Sequence, residues 1–188
     1  MMPAPIPFYH EESDDTLRRL RVLEIEDIMP GAASYIFESG MRLALAARNQ
    51  PINLIIRSDG GSVFEAINIC NALRDIQNVL EANVIGVVAG NAFSAASYVL
   101  QQCNLRYAAP TAFLMVHGIT HGGMGGVDEE DQRRQALLMR QLRAIMVEHY
   151  SARSPKPRTY WDTILKSNKP QFYTAKEALD VGLLDEVR

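Results

Sequence analysis

Two residues of this chain combine the right chemistry with the right setting for covalent catalysis, Ser94 and His117. Ser94 stands in Gly90-Asn91-Ala92-Phe93-Ser94-Ala95-Ala96-Ser97, just after a buried-strand pattern and at the opening turn of a helical stretch. Unsatisfied amides and the positive dipole end of a helix favour anionic groups there, and small neighbours such as Ala95 and Ala96 let a substrate backbone come close. By itself such a serine is more often only a helix cap. It becomes a nucleophile when a base removes its proton. Of the 4 histidines, His10 lies in a Pro-rich start and His149 near the end of a long helical stretch, where a surface or dipole-pairing role is expected. His117 differs, because it follows the apolar run 112–116 (AFLMV) and so ends a core strand. His121, in glycine-rich chain four residues on, is the alternative base. Residues 1–155 hold no lysine, and Lys156, Lys166, Lys169 and Lys176 fall in the terminal segment, which disfavours a Ser-Lys pair.

Other polar groups read less sharply. Gly60-Gly61, after INLIIRSD, offers amides at the carboxyl end of a strand and is a candidate oxyanion donor, although such a pair is more often a tight turn. Asp128, Glu129, Glu130 and Asp131 at a helix start read as dipole-pairing charge, not a metal site. Cys70 and Cys103 lack CxxC or zinc spacing and read as buried free thiols. No metal or cofactor is implied.

The elements that must position Ser94 and His117 repeat one plan. Alternating runs at 21–28, 52–56 and 84–89 read as strands, the last broken at Gly90-Asn91, and each is followed by a helical pattern, at 33–47, 63–76 and 94–100. Tyr107–Ala109 and Ala112–Val116 read as short strands around Pro110, Asp128–Tyr150 as the longest helix, and Ala175–Val181 as a closing helix stopped at Gly182. Strands alternating with helices predict an α/β fold with largely parallel pairing. Residues 1–16 carry three prolines and an acidic run and are expected to form a flexible arm; 17–188 is expected to be one domain. At 47% hydrophobic and 22% charged, with a net charge of -3, the chain has no footprint for nucleic acid or an anionic membrane. No apolar run approaches the roughly 20 residues of a spanning helix, and a soluble, cytoplasmic protein is expected.

Four segments together resemble the Clp protease proteolytic subunit family (ClpP), from about Leu17 to Val187. INLIIRSDGGSV is similar to its strand and Ser-Pro-Gly-Gly loop, GNAFSAASYVL to its Gly-Gln-Ala-Ala-Ser-Met-Gly nucleophile motif, YAAPTAFLMVHG to its histidine segment, and FYTAKEALDVGLLDEV to its ending. The resemblance implies a ββα-spiral fold with a protruding handle helix at about 127–151, joining two stacked heptameric rings (a tetradecamer) that an AAA+ Clp ATPase feeds with unfolded polypeptides. It implies a serine endopeptidase with Ser94 as nucleophile, His117 as base, Gly60 and Ala95 amides as oxyanion hole, and Gly61, Ser62, Val63, Gly118 and Ile119 holding an extended peptide by β-addition. Asp59, Phe93 and Ala96 depart from the motifs, and Pro170 stands where the family carries the third triad aspartate. Asn168 is taken as that orienting residue, with Asp162 further back as the alternative. An asparagine carbonyl can accept from imidazole but lacks the charge that stabilises imidazolium, so activity below that of a full triad is expected. The missing aspartate also motivates a second reading, a catalytically impaired ring subunit. A third, a crotonase-type acyl-CoA enzyme, would need a glutamate at the site, and the nearest is Glu81 before the third strand.

Overall fold

Alternating apolar residues turn one side of Val22–Ile25 (β1), Ile52–Ser58 (β2) and Val84–Phe93 (β3) into the core, with Leu23, Ile25, Leu54, Ile56, Val84 and Val88 all buried. The computed structural model describes residues 21–47, 50–119, 128–167 and 169–188. The three strands pair in parallel, so the chain must cross over between them, and it does so through helices Ala32–Ala46 (α1) and Val63–Val79 (α2). Their contact is close: a Cβ at Gly40 of α1 would sit 2.3 Å from Ile76 Cδ1 of α2. Ala66, Ile69, Leu73 and Ile76 form the buried stripe of α2, and burying each of the larger ones stabilises by about 1.5–3 kcal/mol.

Beyond β3 the chain makes the short helix Ala95–Leu100 (α3), strands Leu105–Ala108 (β4) and Phe113–Val116 (β5), the long helix Glu129–Ser151 (α4), helix Arg158–Lys166 (α5), strand Gln171–Thr174 (β6), helix Ala175–Asp180 (α6) and strand Glu186–Val187 (β7). Among the described residues the 7-stranded sheet runs β1-β2-β3-β4-β7, with β5 on β3 and β6 antiparallel to β5. The α/β expectation therefore holds. Strand β3 is not broken at Gly90. It passes from β4, which it pairs through Ile85–Val88, to β5, which it pairs through Asn91–Phe93. Against β2 the register jumps from Ile56↔Val88 to Ser58↔Ala92, so the exposed Ala89 and Gly90 form a bulge that lets one strand serve two partners.

The carboxyl-terminal segment is clasped by Arg106, only 2% exposed, whose Nη2 donates to Asp185 Oδ1 at 2.6 Å and whose Nη1 donates to Gly182 O at 2.8 Å and Gln101 Oε1 at 2.5 Å. Partial burial alone would raise the Asp185 carboxyl, but the hydrogen bond and charge of Arg106, then the charge of Arg153, hold it below its usual range. No described helix is long and apolar enough to cross a membrane.

Candidate active site

The nucleophile candidate sits where β3 must turn sharply into α3. Ser94 adopts φ 54 and ψ -121, a left-handed conformation that strains a residue with a Cβ. Three contacts hold it there. Its N–H donates to Met115 O of β5 at 2.8 Å, and its carbonyl accepts from the Ser97 hydroxyl at 2.7 Å and from Tyr98 N–H at 3.3 Å. No capping bond occupies the Ser94 hydroxyl, so the simple helix-cap role is not the one it plays. A sharp strand-to-helix turn of this kind lifts a serine Oγ clear of its neighbours.

Ser97 has its own support. Its proton goes to the Ser94 carbonyl, so the Tyr150 hydroxyl, 2.7 Å away, donates to Ser97 Oγ. Tyr150 comes from the last turn of α4 and is 1% exposed. One position earlier, His149 Nε2 lies 3.0 Å from Tyr98 O and its ring packs 4.3 Å from that of Tyr98. Burial pushes the His149 pKa down to about 4; its bond to Tyr98 O opposes this and Arg74, Arg106 and Arg153 reinforce it. His149 is thus a neutral packing group, not the surface or dipole-pairing histidine expected. Two adjacent α3 residues, Ser97 and Tyr98, and two α4 side chains, His149 and Tyr150, brace the Ser94 turn, and sequence spacing could not have paired them across about 50 positions.

The Gly60 loop lies directly behind the turn. A Cβ on Gly60, which has φ 108, would meet Phe93 O at 2.8 Å, Ser94 Cβ at 2.9 Å and Ala95 N at 3.1 Å. Only glycine permits this approach. Gly60 N–H donates to Ser58 Oγ at 3.1 Å, while Ala95 N–H, first in its helix, has no intrahelical acceptor. The loop is fixed from outside by Ile28, whose N–H donates to Gly60 O and whose carbonyl accepts from Ser62 N–H. Ser62 caps α2 by accepting from Glu65 N–H at 3.4 Å, and the buried Glu65 carboxylate accepts from Gly31 and Ala33 N–H at the start of α1.

Strand β5 delivers His117 to the same place. Ser94, Ala95, His117, Gly118 and Ile119 share a cleft of about 240 Å³ with Gly61, Ser62, Val63, Ala66, Tyr98 and Met146. The nucleophile and base candidates and the five expected peptide-binding residues are thereby brought together. Gly60 is not among the residues lining the cleft. The His117 ring places Nδ1 2.5 Å from Gly118 O. Asp162, on α5, makes no hydrogen bond to this ring and pairs instead with Arg143 at 3.3 Å. Asn168, His10 and His121 lie outside the described residues. Pro170 is exposed.

Comparison with known proteins decides the family. The Clp protease family profile matches residues 11–188. The chain belongs to the Clp protease family. It is also similar to the ATP-dependent Clp protease proteolytic subunit 1 of Leifsonia xyli subsp. xyli (strain CTCB07), 28% identical over 177 residues, which is 93% of this chain and 86% of that relative. Outside the cleft just described, other notable groups are already engaged. Asp59, in the family's proline position, accepts from Asn91 Nδ2 at 2.6 Å. Phe93 packs edge-on against Phe172 at 5.7 Å, on the sheet face away from the core. Asp128 caps α4 through Asp131 N–H at 2.8 Å, and Glu129 and Glu130 pair with Arg133 and Arg134. No metal-binding cluster occurs among the described residues. Cys70 and Cys103 are buried and free; burial raises both thiols, Cys103 to about 12, so neither is a nucleophile at neutral pH. Glu81 precedes β3, at the opposite end of that 10-residue strand from Ser94, about 30 Å away at the usual rise.

Proposed function

We propose that this Clp protease family member is a serine endopeptidase, the proteolytic subunit of a compartmentalised protease that degrades unfolded polypeptides delivered by an AAA+ Clp ATPase. The observation that carries the reading is the strained turn that turns Ser94 into the cleft lined by His117. His117 takes the Ser94 proton as the hydroxyl attacks the scissile carbonyl, and the Ala95 and Gly60 amides receive the developing oxyanion. The Gly60 amide serves by exchanging its neutral bond to Ser58 Oγ for a stronger one to the anion. His117 then gives the proton to the leaving amine, and water cleaves the acyl-enzyme by the reverse sequence. The peptide lies extended between the Gly61–Val63 edge and Gly118-Ile119. Ile28 supports this edge, since it bonds Gly60 O and Ser62 N and not the amide and carbonyl of Gly61.

In this reading the sheet and its crossovers form the ββα spiral, and the 23-residue α4 is the handle between two heptameric rings, with Leu137, Leu138 and Ile145 exposed on it. The decisive test is reaction with a fluorophosphonate probe followed by peptide mass spectrometry: an adduct on Ser94 is expected, and a folded protein without one sinks the assignment. Native mass should report a ring, because a monomer has no chamber. Pro170 in the aspartate position favours a second reading, an impaired subunit that supports assembly. Peptide turnover only in rings mixed with another subunit selects it.

A further inference from the structure

We propose that the main-chain carbonyl of Gly118 holds His117 in the tautomer a general base needs, taking the position that a side-chain acceptor fills in a serine triad. This rests on reading Ser94 and His117 as nucleophile and base. A carbonyl has no proton to give, so the 2.5 Å contact between His117 Nδ1 and Gly118 O is a hydrogen bond only when Nδ1 carries the proton. Nε2 is then bare and presents its lone pair, the form that accepts a proton from a serine hydroxyl. A side-chain amide at this point can turn its NH2 to the ring and select the opposite tautomer, the fault that costs a serine triad about 10⁴-fold when its aspartate becomes asparagine. A main-chain carbonyl cannot make that error, although it brings no negative charge to imidazolium.

The fold fixes this carbonyl. A Cβ at Gly118 would lie 2.6 Å from Leu165 O and 2.9 Å from Ser167 O, so the buried main chain of residue 118 is pressed against the last turn of α5 and only glycine fits. Among the described residues, the side-chain acceptors that might compete are engaged: Asp162 is on Arg143 and Asp59 is on Asn91, while position 170 is proline and Asn168 is left to the test below. Gly118 is therefore a positioning residue that acts through its backbone.

His149 supplies an internal reference. Its Nε2 faces Tyr98 O at 3.0 Å, and the same reasoning puts its proton on Nε2, the reverse of His117. The test is nitrogen-detected NMR of the full-length protein labelled with ¹⁵N at histidine, at pH 8, with signals assigned through His117→Gln and His149→Gln. Expected are a protonated Nδ1 and bare Nε2 for His117, the opposite for His149, and retention of the His117 form in Asn168→Ala. An Nε2–H tautomer at His117, or loss of its Nδ1–H form in Asn168→Ala, overturns the proposal. Fluorophosphonate treatment of the same sample separates the two readings: an Nδ1–H signal without an adduct on Ser94 supports the carbonyl's role while overturning the peptidase assignment.

Discussion

Replacing Ser94 with glycine should make the protein more stable while abolishing its nucleophile. At φ 54 and ψ -121 the backbone of residue 94 lies where a Cβ costs about 1–3 kcal/mol and glycine costs nothing. Glycine also gives the unfolded chain more freedom, worth about 0.5–1 kcal/mol against folding. The difference leaves a net gain of about 1 kcal/mol. The proper reference is Ser94→Ala, which loses the same hydroxyl but keeps the Cβ and its strain, so the comparison isolates the backbone. For a chain of this size that gain is about 2–4 °C in Tm. Urea denaturation of both variants at matched protein concentration measures it, since assembly makes apparent stability concentration-dependent. Neither variant should take up a fluorophosphonate. A Ser94→Gly variant less stable than Ser94→Ala by the full amount that glycine costs elsewhere, about 0.5–1 kcal/mol, would refute the claim that strain is stored at this turn.

Gly60→Ala should cut the rate of Ser94 acylation about 100-fold or more, because the new methyl meets Phe93 O and Ser94 Cβ below 3 Å and drives the loop from the turn; single-turnover labelling measures this, and an unchanged rate refutes the fit. Acid should destabilise the protein through His149. Its folded pKa of about 4 lies below the unfolded value of about 6.5, so the unfolded chain binds a proton that the folded one refuses. Its contribution is level above about pH 6.5 and falls by up to about 3 kcal/mol as pH drops to 4. Urea midpoints across that range, compared with His149→Gln, test it; identical slopes reject the assignment. Arg106→Met should cost about 3 kcal/mol, at the low end for a broken buried pair, because Asp185 keeps Arg153 at 3.0 Å and some water. Chemical denaturation reads that loss directly.

The legible parts of this molecule are those set by local pattern. Ser94 and His117 stood out because each follows an apolar strand, and in a parallel sheet such strand ends share one side. Gly90 misled because glycine breaks and glycine bulges look alike until the partner strands are known. The helix Arg158–Lys166 went unread between prolines, although Tyr160, Trp161, Ile164 and Leu165 carry helical spacing. Strands Gln171–Thr174 and Glu186–Val187 are too short for alternation to show. The bonds from Tyr150 to Ser97 and from His117 to a main-chain carbonyl had no signal, since a hydroxyl or carbonyl partner leaves no mark on residue type.

The two-partner strand β3 also bears on how this protein folds and fails. Its early half is flanked by β2 and β4, whereas its last three residues gain β5 only after the chain has passed through β4. Of the main-chain bonds that hold the Ser94 turn, the one tying it to the sheet, to Met115, lies in that later strand. The sheet centre can thus form its pairings before the turn has its partner, which makes the turn a late-closing and first-opening region, one whose contacts slow unfolding more than they speed folding. Substitutions that loosen β5 should shorten the lifetime of the native state while leaving its rate of formation nearly untouched, and the nucleophile should lose its geometry well before the sheet comes apart.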